Sequence, residues 1–298
     1  MKEGEFMCDQ EHFDNDLQKY LQRRALTRRQ FGMLTAGASL MMMLPRAADA
    51  LDVSEQDVEI KTQDGVADAY FVFPTTGAHA AVLVWPDILG LRPAFRQMGK
   101  RLAESGYAVL VVNPFYRVEH APVVPPGAVF TDETTRNKVM PLMQALNATT
   151  HVTDARAFIA WLDSQPQVDK NRKIGTMGYC MGGPIVMRTA AAVPDRVGAA
   201  ASFHGGHLVT ANADSPHLLV PQMKARFLFA VAEDDDQREP EVKNVLRETF
   251  TKAGLPAEIE VYAGTAHGWC PLDSAVYDQP QSERAWSRLL VLLNNALA

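Results

Sequence analysis

Continuous apolar runs mark the middle of the chain at residues 79–86, 107–114 and 173–180. Short apolar runs of this kind, separated by helical stretches, are typical of strands that are buried on both faces of a parallel sheet. The same reasoning predicts three further strands within residues 198–203, 226–236 and 257–269, and the last two segments are expected to end in loops.

Apolar positions recur at helical spacing between these strands, at residues 95–106, 151–165 and 182–194, and again near the end of the chain, at 283–297. Gly106 is expected to end the first of these helices, because glycine is common just beyond a helix. Strand and helix alternate without an internal repeat or a Ser/Gly linker. The pattern therefore predicts one α/β domain, with a mostly parallel sheet flanked by helices.

A different pattern precedes the first buried strand. Apolar and polar positions alternate over residues 57–74, on either side of Asp64-Gly65. Alternation around an Asp-Gly pair is typical of an antiparallel hairpin. We therefore expect a hairpin at the edge of the sheet.

The amino terminus carries the features of an export signal. Arg28 and Arg29 precede Phe31 and a modestly apolar stretch that runs to Leu44, and a small-x-small cleavage site follows at residues 48–50. This arrangement resembles a twin-arginine signal. A transmembrane anchor is the alternative, but the apolar stretch contains Gly, Thr and Ser and is shorter than the roughly 20 residues that a spanning helix needs.

The chain is therefore predicted to have two regions, a signal peptide and leader over residues 1–50 and a folded domain over residues 51–298. This division implies that the twin-arginine machinery of a bacterium exports the folded protein to the periplasm or beyond, with no stable membrane anchor after cleavage. Cys8 lies in the leader. The mature chain keeps Cys180 and Cys270, which could form one disulfide in an oxidising compartment.

The composition is that of an ordinary globular protein. The 298 residues are 47% hydrophobic and 21% charged, with a formal net charge of −6. A nucleic-acid partner is disfavoured, because neutralising phosphates needs clustered Lys and Arg, and no long basic run occurs.

One glycine-rich turn suggests the chemistry. Residues 178–182, Gly-Tyr-Cys-Met-Gly, fit the G-x-nucleophile-x-G turn between a strand and a helix, with Cys180 at the centre. Such a turn strains the central residue and lifts its side chain clear, and the flanking glycines avoid Cβ collisions. The helix that follows favours a thiolate on Cys180 and offers the N–H of Met181 to a developing oxyanion.

A nucleophilic thiol needs a base, and the base needs an orienting carboxylate. An acidic run at residues 233–236 follows one predicted strand, and His267 follows the next, so nucleophile, acid and histidine occur in the order expected for this fold. His204 and His207 compete with His267 for a functional role, as pocket residues or as a metal pair. Metal binding is disfavoured, because no third ligand stands at a convincing spacing.

The sequences GYCMGG, AHGW and WPDILG together resemble the dienelactone hydrolase family of α/β-hydrolases, and the resemblance extends over residues 57–298. It implies a compact α/β-hydrolase fold without a large cap domain. It also implies hydrolysis of a small ester or lactone through a Cys-His-Asp triad and a cysteinyl acyl-enzyme, with no metal or organic cofactor.

The resemblance assigns roles to individual residues. Cys180 becomes the nucleophile and His267 the base. Asp235 fits the family pattern for the acid, with Asp234 and Asp236 as alternatives.

Four further positions receive supporting roles from the same resemblance. Asp87 would hold the resting thiol, where the family usually has a longer glutamate, and the N–H of Ile88 would join that of Met181 at the oxyanion. Tyr116 and Arg117 would bind the substrate, with the guanidinium of Arg117 receiving a carboxylate, which it can match with two hydrogen bonds.

Two other functions are weighed against this hydrolase. A periplasmic redox or binding protein on the same fold would use a reversible disulfide between Cys180 and Cys270. A serine esterase is disfavoured, because the chain contains no G-x-S-x-G sequence.

Overall fold

The computed structural model describes residues 50–297, and the predicted signal peptide therefore lies outside the described residues except for Ala50. Within the described part, eight strands form one sheet in the order β1-β2-β4-β3-β5-β6-β7-β8. The strands are β1 Val53–Thr62, β2 Gly65–Pro74, β3 Ala81–Trp85, β4 Ala108–Val112, β5 Ile174–Tyr179, β6 Val197–Phe203, β7 Arg226–Ala232 and β8 Ala257–Tyr262.

The predicted hairpin is confirmed. Strands β1 and β2 pair antiparallel from Val53 opposite Pro74 to Thr62 opposite Gly65, and β1 is an edge strand. Strand β2 also pairs antiparallel with β4, whereas β3 to β8 are parallel. The carboxyl ends of the parallel strands therefore lie along one edge of the sheet, where α/β proteins place their ligands.

Helices cover both faces of this sheet, as predicted. They are α1 Pro93–Glu104, α2 Glu133–Gln144, α3 Ala148–Ser164, α4 Gly182–Ala192, α5 Glu233–Arg238, α6 Val242–Ala253 and α7 Gln279–Ala296, with a 3₁₀ helix at Pro216–Gln222. The sequence pattern located α1, α3, α4 and α7 to within a few residues. In the part of the chain from residue 50 to 297, no helix is long and apolar enough to cross a membrane.

The acidic run differs from the sequence expectation. We expected a loop at residues 233–236, but these four acidic residues form the first turn of α5. Acidic side chains are favoured there, because the amino terminus of a helix carries partial positive charge. The run is thereby held in one fixed orientation at the end of β7.

The core lies on both sides of the sheet. Every residue of β3, β4 and β5 is buried, which confirms the expectation from their continuous apolar sequences. One apolar cluster packs α3, α4 and α6 against one face, and a second packs α1 and α7 against the other. Helices packed on both faces therefore hold in place the strand ends that carry the candidate site.

Candidate active site

Cys180 stands at a sharp turn between β5 and α4. Its φ of 52° lies in the left-handed region, which side chains other than glycine rarely adopt. Two backbone hydrogen bonds hold the turn, because Cys180 donates to the carbonyl of Phe203 at 3.1 Å and accepts from the N–H of Gly183 at 3.0 Å. The strain predicted for this position is present, and it projects the thiol beyond the sheet.

The glycines of the turn are required by close backbone contacts. A Cβ on Gly178 would lie 2.4 Å from the carbonyl oxygen of Gly182, and a Cβ on Gly182 would lie 2.5 Å from the carbonyl oxygen of Trp85. Both distances are shorter than a Cβ can tolerate. The prediction that side chains here would collide with neighbouring elements is therefore confirmed.

His267 is bonded to the acidic turn of α5. Its Nδ1 lies 2.9 Å from Oδ2 and 3.1 Å from Oδ1 of Asp235, while its backbone N–H donates to Asp234 Oδ2 at 3.0 Å. Asp236 instead pairs with Lys243. Of the three aspartates considered from the sequence, the structure thus places Asp235 against the imidazole and Asp234 against its backbone.

A cavity at the carboxyl ends of the strands brings these groups together. Cys180 and His267 share its wall with Asp87 and Ile88, as the sequence led us to expect. The remaining lining residues are Leu89, Arg92, Ala128, Val129, Phe130, His204, Gly268, Asp273, Ser274 and Ala275. A thiol, an imidazole–carboxylate pair and a helix amino terminus around one concave space can perform acyl transfer.

The model of the Dienelactone hydrolase family matches residues 67–297, which include every lining residue of this cavity. The chain belongs to the dienelactone hydrolase family. It is therefore a hydrolase with an α/β-hydrolase fold, and the family predicted from its sequence is confirmed.

Three similar proteins illustrate the relationship. The carboxymethylenebutenolidase of Rhodococcus opacus is 30% identical over 122 residues, which are 41% of this chain and 42% of that protein. The carboxymethylenebutenolidase of Pseudomonas putida is 25% identical over 223 residues, or 74% of this chain and 89% of that protein. A dienelactone hydrolase structure from Anabaena variabilis has a TM-score of 0.59 at 17% identity and covers 83% of this chain and 99% of that one; this likeness shows the fold.

Asp87 is bound to Arg92, and nothing in the sequence around Arg92 had indicated a role for it in the site. Arg92 donates from Nη1 to Oδ1 of Asp87 at 2.6 Å and from Nη2 to Oδ2 at 2.9 Å. Arg92 also bonds Asp273, from Nε at 2.7 Å and from Nη2 at 2.9 Å. Burial would lower the pKa of Arg92, but the two carboxylates outweigh it and raise that pKa. Asp87 is thus part of an ion cluster.

Tyr116 and Arg117 are not among the residues that line the cavity, so its geometry gives no support to the substrate-binding role expected for them. The guanidinium of Arg117 bonds both oxygens of Asp154, at 2.7 and 2.8 Å, and also Asp64 at 2.6 Å. The hydroxyl of Tyr116 donates to Asp154 at 2.8 Å. The loop after β4 turns toward α3 and the hairpin, and two carboxylates there neutralise the arginine.

We expect Arg117→Met to lower the free energy of unfolding by about 3–5 kcal/mol, because Asp154 would remain buried without its cation. Denaturant unfolding measures this change. The KM for an ester substrate should stay within about twofold of wild type, because Arg117 lies outside the cavity. Arg226→Met, at the exposed first position of β7, is the matched control. A large rise in KM without loss of stability would restore the substrate-binding role.

His204 lies directly behind His267. It has a φ of 39°, it is buried, and its ring packs edge-to-face on that of His267 with 5.1 Å between centroids. Burial and the nearby His267 hold the pKa of His204 well below its usual range, so the ring is neutral.

His207, the other histidine considered for the pocket or for a metal, is exposed and does not line the cavity. Among residues 50–297, no group of three His, Cys, Asp or Glu side chains is arranged to hold a metal ion.

Cys270 packs in the apolar cluster on the α1 and α7 face of the sheet, together with Trp269 and Tyr262. Burial raises the pKa of its thiol well above the usual value, and Asp278 adds to the effect. Cys180 and Cys270 are not bonded to each other, and Cys270 does not line the cavity. These positions give no support to the redox alternative.

Proposed function

We propose that this hydrolase cleaves a small ester or lactone by means of a Cys180-His267-Asp235 triad and a cysteinyl acyl-enzyme. The observation that carries the proposal is the cavity shared by Cys180 and His267, in which the imidazole is anchored by Asp235 at 2.9 Å. Carboxymethylenebutenolidase relatives support an ester or lactone as the substrate.

The first half of the reaction forms a thioester. Asp235 accepts the Nδ1 proton of His267, so Nε2 is the nitrogen that takes the Sγ proton of Cys180. The sulfur attacks the carbonyl carbon, and the oxygen that becomes negative is held by the N–H groups of Met181 and Ile88. The carbon–oxygen bond to the alcohol then breaks, and His267 returns its proton to the leaving oxygen.

The second half of the reaction consumes water. His267 takes a proton from the water while its oxygen attacks the thioester carbon, and the carbon–sulfur bond breaks. The proton returns to Cys180 and the acid product leaves. The amino terminus of α4, directly behind Cys180, stabilises the thiolate as nucleophile and as leaving group.

The acyl-enzyme provides the direct test. Mixing reduced protein with a chromogenic short-chain ester and quenching within the first turnover should add the mass of one acyl group, on the peptide that contains Cys180. Prior alkylation of Cys180 with iodoacetamide should abolish both the adduct and turnover. Hydrolysis without an adduct on Cys180, and with full activity after its alkylation, would exclude the mechanism.

We also propose that residues 1–50 direct export through the twin-arginine pathway and that residues 51–298 are the mature domain in the periplasm. The paired arginines Arg28 and Arg29 support this proposal. Fusion of residues 1–50 to a fluorescent reporter should deliver it to the periplasm of a bacterium. Replacing both arginines by lysine should retain the reporter in the cytoplasm, and delivery that survives this change would exclude the proposed route.

A further inference from the structure

Charge is unevenly distributed around the candidate active site. Arg92 is the one Lys or Arg among the lining residues in the described part of the chain, and it stands between Asp87 and Asp273. The three side chains together carry a formal charge of −1. The cavity therefore offers no uncompensated positive charge to a substrate.

The hydrogen-bonding capacity of Arg92 is also fully used. A guanidinium has five N–H donors. Arg92 directs four of its contacts to Asp87 and Asp273, and a fifth, from Nη1, to the carbonyl oxygen of Gly90 at 3.2 Å. No donor is left for a carboxylate on a substrate unless Asp273 moves away.

One part of the cavity wall is apolar. Ile88 and Leu89 contribute from the loop after β3, and Ala128, Val129 and Phe130 contribute from the segment before α2. Ile88 and Phe130 belong to one buried apolar cluster, against which Leu89 and Ala128 pack. A hydrocarbon group would be stabilised against this wall, whereas a charged group would lose its hydration without gaining a partner.

We propose that this site selects esters or lactones whose acyl and alcohol parts are both uncharged, and that Asp273 excludes substrates that carry a carboxylate. The inference rests on the proposed function, because it concerns the same cavity. It departs from the sequence expectation that an arginine in the site receives a substrate carboxylate.

Asp273 is the residue on which this selection depends. Its side chain is 42% exposed at the rim, whereas that of Asp87 is 12% exposed and also accepts the N–H of Leu89 at 2.9 Å. Asp273 therefore faces an incoming substrate, and its charge repels an anion by the Coulomb interaction. Removing that charge would bring the cluster to a formal charge of zero, because Asp87 still pairs with Arg92, and would weaken the hold on the Nε and Nη2 donors that Asp273 now occupies.

Two matched substrates isolate the effect of charge: 4-nitrophenyl methyl adipate, which is neutral, and mono-4-nitrophenyl adipate, which carries a carboxylate in the same place. We expect wild-type kcat/KM to favour the neutral ester by about tenfold or more. Asp273→Asn should reduce this preference by about tenfold. Asp195→Asn, which removes an equal charge at an exposed ion pair with Lys224, should leave the ratio of the two kcat/KM values unchanged.

A binding measurement separates this inference from the proposed function. Dimethyl adipate and monomethyl adipate would be titrated against Cys180→Ala, where no turnover is needed, and the neutral diester should bind more tightly. If wild type hydrolyses neither nitrophenyl ester but this binding order holds, charge selection stands and the proposed reaction fails. Equal or better use of the anionic ester by wild type, or an unchanged preference in Asp273→Asn, would overturn the inference.

Discussion

Cys180→Ala is expected to lower kcat for hydrolysis of a neutral nitrophenyl ester by at least about 10⁴-fold, because the proposed reaction then loses its nucleophile. Substrate binding should persist, because the apolar wall and the ion cluster are untouched. Steady-state kinetics with freshly reduced protein would measure the loss. The residual rate should reflect only the remaining oxyanion donors and the positioning of the substrate.

Cys270→Ala is the matched control for this experiment. It removes the other thiol of the described domain, which is equally buried but lies in the apolar cluster outside the cavity. We expect its kcat to stay within about threefold of wild type, with a loss of about 1 kcal/mol in stability from the small cavity left behind. Comparable losses of activity in both variants would contradict the assignment of Cys180 as the nucleophile, because Cys270 lies outside the cavity.

Gly182→Ala should have the largest effect on folding. Alanine usually stabilises a helix relative to glycine by about 1 kcal/mol, and Gly182 is the first residue of α4. Here the added Cβ would lie 2.5 Å from the carbonyl oxygen of Trp85 and 3.1 Å from that of Pro86, and neither backbone group can rotate away. We expect a loss of about 3 kcal/mol or more, which would lower Tm by roughly 6–12 °C.

Activity should fall together with stability in Gly182→Ala, because any retreat of Trp85 and Pro86 also moves the backbone of Ile88. Gly175→Ala is the control in the adjoining strand, where the new Cβ would meet the side-chain methyl groups of Leu293, Leu297 and Val82. These groups can shift, so we expect a loss of about 1 kcal/mol. Differential scanning calorimetry would compare the Tm values of the two variants with that of wild type. A Tm for Gly182→Ala at or above that of wild type would contradict the close contact between Gly182 and the carbonyl oxygen of Trp85.

The local sequence pattern was sufficient to predict the strands of the sheet and most of its helices. The turn around Cys180 could be predicted because its glycines, its strand and its helix are contiguous in sequence, and each imposes a steric requirement on the next. The order of nucleophile, acid and histidine placed Asp235 and His267 at neighbouring strand ends. In both cases the relevant geometry follows from the parallel topology of the sheet.

Helices α2 and α6 were not predicted from the sequence. Helix α2 contains Pro141 and buries only Thr135, Val139 and Leu142, while α6 buries only Leu246 and Phe250. A proline inside a segment argues against a helix, and a short segment with few buried positions gives little sign that it packs on the sheet. Their helical state depends on packing against neighbouring elements, which a single sequence does not display.

The partners of the charged groups were the least predictable part of the site. Arg92 and Asp273 are 181 positions apart, and nothing in either local sequence indicates that they meet. The same holds for Arg117 and Asp154, which are 37 positions apart and form a hydrogen-bonded ion pair. Long-range ion pairs depend on how loops close over the sheet, and loop closure has no periodic sequence pattern.

The two edge strands of the sheet, β1 and β8, affect how readily the protein aggregates. An open strand edge can template the addition of strands from other chains, which is a common start of aggregation. Strand β1 presents exposed Glu55, Asp57 and Glu59 along its length, and β8 carries Glu258 and Glu260, which bind arginines of α7. A strand from another chain that paired with β1 or β8 would have to dehydrate these charged side chains. The charges therefore oppose extension of the sheet by other chains.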